Sequence, residues 1–92
     1  MRYELTDLRL FLEIAQAHSL TAGASAVFIT PSAASYRLKN LEQAMGTPLF
    51  DRTPRGMELT AAGEAVGAAV RAAVARAGQD WLIWRRAQGQ AG

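Results

Sequence analysis

The sequence predicts a mainly α-helical fold, a three-helix core carrying a two-stranded β wing and followed by a long C-terminal helix. Three observations lead there. Residues 19–42 hold two short amphipathic runs around a tight turn, each opened by a hydroxyl residue. Pro54-Arg55-Gly56 is a turn cluster between two short segments. From Thr60 to about Arg86 the chain is Ala-rich and free of Pro, a composition that favours unbroken helix because Ala loses no side-chain freedom in one.

Each element follows from local signals. Thr6 suits the N-cap of a first helix running to about Ala17, with Leu8, Phe11, Leu12, Ile14 and Ala15 as its buried stripe. His18 comes next, where a cation suits the helix dipole, and reads as structural. Ser19 or Thr21 caps a second helix whose Ala24, Val27 and Phe28 recur at helical spacing. Thr30 caps a third, with Pro31 at the first position where a missing N–H costs nothing, and Tyr36, Leu38, Leu41 and Met45 lie inside it. Gly46 fits a left-handed C-cap and Pro48 discourages continuation, so this helix spans about residues 30–45.

Leu49 to Thr53 and Met57 to Thr60 then read as the two wing strands, with Arg52 and Arg55 at or near the tip. Thr60 caps the long helix, and Glu64 lies favourably in its first turns. Ala62, Val66, Ala69, Val70, Ala73, Ala77, Trp81 and Trp84 form an apolar stripe too long for one small core to cover. Small residues in that stripe invite a second helix to approach closely, with Trp81 and Trp84 closing the far end. Gly89-Gln90-Ala91-Gly92 loses the periodicity and reads as a tail. The division expected is 1–59 for the winged helix-turn-helix, 60–87 for the linker or dimerisation helix and 88–92 for a hinge or tail.

Ninety-two residues make one small domain for which dimerisation is a cheap source of extra burial. The absence of Cys rules out a disulfide framework or thiolate metal site and fits a cytoplasmic setting; no apolar run is long enough to span a membrane. Net charge is only +2, so its distribution carries more than its sum. Residues 1–29 set Arg2 and Arg9 against Glu4, Asp7 and Glu13, whereas residues 30–56 set Arg37, Lys39, Arg52 and Arg55 against Glu42 and Asp51. The basic excess falls on the third helix and the wing segment after it.

These residues resemble the N-terminal DNA-binding domain of LysR-type transcriptional regulators, which are bacterial. Ser19, Leu20, Thr21, Ala24, Ile29, Thr30, Ser32, Ala33, Ser35, Leu38, Lys39, Leu41, Glu42, Gly46, Leu49, Phe50, Asp51 and Arg52 stand in register with that family's pattern. Leu59-Thr60-Ala61-Ala62-Gly63-Glu64 resembles its L-T-x-A-G-E block. The resemblance implies sequence-specific binding of double-stranded DNA, with the third helix in the major groove and the wing in the minor groove. It also implies an antiparallel homodimer through the long helix, using Val66, Ala69, Val70, Ala73, Ala77, Trp81 and Trp84, and higher oligomers in a full-length protein. A small-molecule inducer would bind an effector domain missing from this chain, so no cofactor or metal is expected in it. The chain is then either a piece of a longer regulator or a natural short form.

The expected DNA contacts are Ser19, Thr21, Thr30, Pro31, Ser32, Ala33, Ser35, Tyr36, Arg37, Lys39, Arg52 and Arg55. Small residues and free N–H groups at a helix start let backbone approach phosphates and base edges; the bland alternative is that they only start a helix. Many family members have Gln at the Pro31 position, able to pair with adenine; Pro31 cannot, which shifts readout toward Ser32, Ala34 or Arg37. Arg37 is the best candidate for guanine, while Lys39 faces solvent or the phosphate flank. Tyr36 either donates to a phosphate or packs on the first helix. Asp51-Arg52 reads equally as a salt bridge holding the wing or as a source of a DNA contact. Arg55, read as having no carboxylate at helical spacing to pair with, suits a narrow A·T minor groove.

An enzyme is disfavoured: there is one His, no Cys, no Gly-rich phosphate loop and no metalloprotease motif. A winged helix serving only protein assembly is the remaining alternative, separable by salt-dependent DNA affinity.

Overall fold

The computed structural model describes residues 4–91, with side chains described as far as residue 78. Its elements run α1 (Leu5–Ala17), α2 (Leu20–Ala26), α3 (Pro31–Met45), β1 (Phe50–Thr53), β2 (Gly56–Leu59) and α4 (Ala61–Ala91). Leu10, Phe11 and Ile14 of α1, Leu41 of α3 and Leu49 ahead of β1 are fully buried and form the centre of the core. The Phe11 and Phe50 rings meet with centroids 5.3 Å apart, which joins α1 to the wing by an aromatic contact as well as by burial.

The first helix starts earlier than its hydroxyl suggests. Glu4, not Thr6, is the N-cap, and the Asp7 carboxylate accepts the Glu4 backbone N–H at 2.8 Å. A carboxylate three residues into the helix satisfies an orphan donor and complements the dipole. At the other end His18 adopts φ 56, and its carbonyl accepts the Met57 N–H at 3.0 Å. The His18 ring Nδ1 lies 3.3 Å from the Met57 carbonyl oxygen. His18 thereby fastens the corner between α1 and α2 to β2, a structural role.

Ser19 is the N-cap of α2, its Oγ accepting the Ala22 N–H at 3.1 Å. Phe28 departs from expectation: α2 ends at Ala26, and Phe28 lies in the turn with its side chain in solvent. Helical spacing mistakes this turn residue for a core residue because the apolar side chain continues the pattern past the point where the helix closes. Thr30 caps α3 as expected, Oγ1 accepting the Ala33 N–H at 3.1 Å, with Pro31 at the first turn. Gly46 ends it at φ 77, a left-handed conformation that L residues adopt only at a cost.

The wing strands pair antiparallel, Phe50 opposite Leu59 and Thr53 opposite Gly56. Gly56 opens β2 rather than belonging to the turn, which shrinks to Pro54-Arg55. It combines φ 114 with a Cβ position only 2.3 Å from the His18 carbonyl, so any side chain there breaks the tie to the α1–α2 corner. Glu42 supplies the other tie: its Oε2 accepts the Leu49 N–H at 2.7 Å and the Phe50 N–H at 3.3 Å.

Thr60 caps α4 as expected; its Oγ1 accepts the Gly63 N–H at 3.0 Å while donating to the Pro48 carbonyl at 2.8 Å. The helix continues through Ala91, past the expected boundary at 87 and into the expected tail. A lone Gly89 weakens helix by only about 1 kcal/mol, and no proline intervenes. No helix among the described residues is long and apolar enough to cross a membrane.

Candidate nucleic-acid interface

The third helix has two faces. Ala34, Leu38 and Leu41 are buried, while Ser32, Ser35, Tyr36 and Lys39 are exposed at steps of three, one and three residues, which is one side of a helix. Pro31 and Thr30 are exposed at its start, and Ala33 is half-buried beside them. Tyr36 is 68% exposed, which removes the alternative in which it packs against α1. The face is short in side chain near its start, which allows close backbone approach to a ligand.

The wing and the start of α2 carry further expected contacts. Ser19 and Thr21 at the start of α2 line one groove with Arg52, Pro54, Arg55 and Gly56. The fold therefore gathers residues from two separate sequence segments around a single concavity. His18 and Met57, joined by the hydrogen bond described above, also line it.

Two arginines have carboxylate partners. Arg37 donates from a terminal guanidinium nitrogen to Asp7 Oδ1 at 2.8 Å. Asp7 is only 7% exposed, and this ion pair joins α3 to the first turn of α1. The hydrogen bond from Asp7, and then its charge, raises the Arg37 pKa further above its already high value, so the cation is permanent. Arg37 is thus paired with Asp7 while its side chain stays partly exposed. Asp7 escapes a sequence reading because its partner stands thirty residues away.

Arg55 is expected to have no carboxylate at helical spacing to pair with, but Glu58 supplies one. The Arg55 Nε lies 3.6 Å from Glu58 Oε2. The Thr53 hydroxyl is 2.8 Å from that same oxygen and 3.1 Å from the Gly56 carbonyl, and it accepts the Arg55 N–H at 3.1 Å. One hydroxyl proton serves two acceptors. Glu58 stands only three residues on, at helical spacing after all, and the sequence reading overlooked it. Arg52 and Asp51 are both exposed and, among the described residues, no ion pair joins them.

Residues 5–64 match the model of the bacterial regulatory helix-turn-helix proteins of the lysR family. The chain belongs to this family. It is 47% identical over 62 residues to the HTH-type transcriptional regulator BudR of Klebsiella aerogenes, covering 67% of this chain and 43% of that protein. To the HTH-type transcriptional activator AllS of Salmonella typhi it is 36% identical over 82 residues, covering 89% of this chain and 24% of the relative. The chain thus spans less than half the length of these curated relatives. In three dimensions it resembles the CbnR DNA-binding domain, solved as a DNA complex, with a TM-score of 0.82 and 30% identity over 92% of this chain and 98% of that one.

A second surface lies along α4. Val66, Ala69, Val70, Ala73 and Ala77, all expected at a dimer interface, line an apolar groove of about 460 Å³ together with Leu5, Leu8, Met45 and Val74. Val70 is already buried within one chain, whereas Leu5 and Val74 are exposed. Leu5 escapes the sequence reading because it precedes the expected start of α1, whereas Val74, four residues after Val70, belongs to the same face but is absent from the expected stripe. The side chains of Trp81 and Trp84 lie outside the described residues.

Proposed function

We propose that this chain is the double-stranded-DNA-binding portion of a bacterial transcriptional regulator, working as a homodimer in the cytoplasm. The observation that carries this reading is the exposed stripe Ser32, Ser35, Tyr36 and Lys39 beginning at a capped helix start, set beside a groove lined by Ser19, Thr21, Arg52 and Arg55. Major-groove entry by α3 puts short side chains and helix N–H groups against bases and phosphates, and the wing carries Arg55 toward the minor groove.

With few cations per chain, affinity depends on two copies binding together. The apolar groove on α4 supports pairing of a second α4 against the first, since an exposed apolar seam gains stability by burial. An inducer, where the regulator responds to one, would be held by an effector domain and not by these residues. No enzymatic activity is proposed.

The test is fluorescence anisotropy with labelled duplexes selected from a random pool. Binding should weaken steeply with salt, by an increment of about 0.9 in log–log slope per phosphate contacted, and the selected sites should share a palindrome. Affinity that ignores salt would leave the chain an assembly module and overturn the reading.

A further inference from the structure

The turn between α2 and α3 closes as a Schellman motif: the Phe28 N–H donates to the Ser25 carbonyl at 3.1 Å and the Ile29 N–H to the Ala24 carbonyl at 3.0 Å. Such a closure needs one residue in the left-handed region, which favours glycine or asparagine because a larger side chain crowds the backbone there. The end of α3 obeys that preference with Gly46 at φ 77, its N–H and that of Thr47 returning to the last turn of the helix. The end of α2 does not. Phe28 takes the same place at φ 62, and it is 93% exposed.

Folding gains nothing from this ring. The left-handed backbone costs about 1–2 kcal/mol for a non-glycine residue, the closing hydrogen bonds are all backbone, and the apolar contact with the core is made by the next residue, Ile29. A strained, solvent-exposed aromatic is better explained by something outside the chain. Phe28 stands two residues before the Thr30 cap of the exposed α3 stripe. No Asp or Glu occurs between Glu13 and Glu42, although Arg37 and Lys39 do. This stretch of chain is therefore free of the charge that would repel a polyanion. The side chain itself is apolar, and the parts of a duplex suited to a phenyl ring are the thymine 5-methyl group and the deoxyribose next to it.

We infer that Phe28 is a DNA-contact residue, seating its ring against a thymine methyl and the adjoining sugar where α3 enters its half-site. The inference rests on the DNA-binding reading above and adds a contact outside the reading helix. Phe28→Gly and Phe28→Asn relieve the left-handed strain, so melting temperature holds or rises while binding to a duplex selected by the unaltered chain weakens about three- to tenfold. Replacing single thymines of that duplex by deoxyuridine removes only the methyl. At one position this weakens the unaltered chain about three- to fivefold, the scale of one buried methyl group, and leaves both variants unaffected. Variants that bind as tightly as the parent, or that still sense the missing methyl at every position, overturn the inference and leave the DNA-binding reading intact. A parent chain without salt-dependent affinity removes both.

Discussion

At Arg37 the guanidinium is committed to a buried carboxylate, and its loss should be felt by the fold. Arg37→Ala leaves Asp7 enclosed without its countercharge, at a cost of about 1–2 kcal/mol, below the range for fully buried pairs because the guanidinium is partly solvated. Thermal denaturation should show a melting temperature lower by roughly 5–15 °C for a domain this small. Base preference, measured by competition with point-substituted sites, should not change. A relaxed preference at one base with an unchanged melting temperature would return Arg37 to the role of a reader. Glu58 invites the opposite experiment. Its carboxylate sits beside Arg55 and is held by Thr53, so it both competes for the wing cation and repels phosphates. Glu58→Gln should tighten DNA binding about two- to fivefold and steepen the salt slope by less than one phosphate increment of about 0.9. Unaltered affinity would mean that Arg55 does not approach the duplex.

Among the elements, the junction of wing and α4 is the least tolerant. A Cβ on Gly63 would lie 2.1 Å from the Leu49 carbonyl oxygen and 2.9 Å from a Leu59 methyl, an overlap that backbone must relieve. Gly63→Ala should therefore destabilise by about 1–3 kcal/mol despite the gain of about 1 kcal/mol in helix propensity. Gly67 is the control, because its Cβ would meet the Phe11 ring at 3.6 Å, ordinary contact. Gly67→Ala should raise stability, and urea unfolding of the two variants checks the contrast. Much of this architecture is legible in the residues: Ser19, Thr30, Gly46 and Thr60 mark helix ends through chemistry that acts within four residues. What escapes is long-range. The Arg37–Asp7 pair, the Glu42 bonds to Leu49 and Phe50 and the His18 tie to Met57 join distant segments, and no local pattern encodes their meeting. Within the candidate site, the exposed stripe of α3 follows from periodicity, while Phe28 defeats it because an apolar residue is expected to face inward.

For the molecule as a whole, the decisive surface is the apolar groove on α4. Val70 is already enclosed by its own chain, so Val70→Glu would damage folding along with association. Val74 is the cleaner probe, since it is exposed and lines the same groove. Val74→Glu should convert a dimer into a folded monomer by sedimentation and weaken operator binding by more than tenfold through loss of the second contact set. A variant that remains dimeric would place the interface on another face.

The Thr60 hydroxyl grips Pro48 with its proton and Gly63 with its lone pair, and this makes α4 a lever with its fulcrum at the wing. Thirty-one residues of helix extend about 46 Å from that point, so each degree of tilt at Thr60 displaces the far end by roughly 0.8 Å over that length. In the dimer proposed above, the distance between the two α3 helices then depends on the geometry at this pivot. Gly63→Ala should alter the half-site spacing recovered from a random pool while leaving the bases chosen within each half-site unchanged.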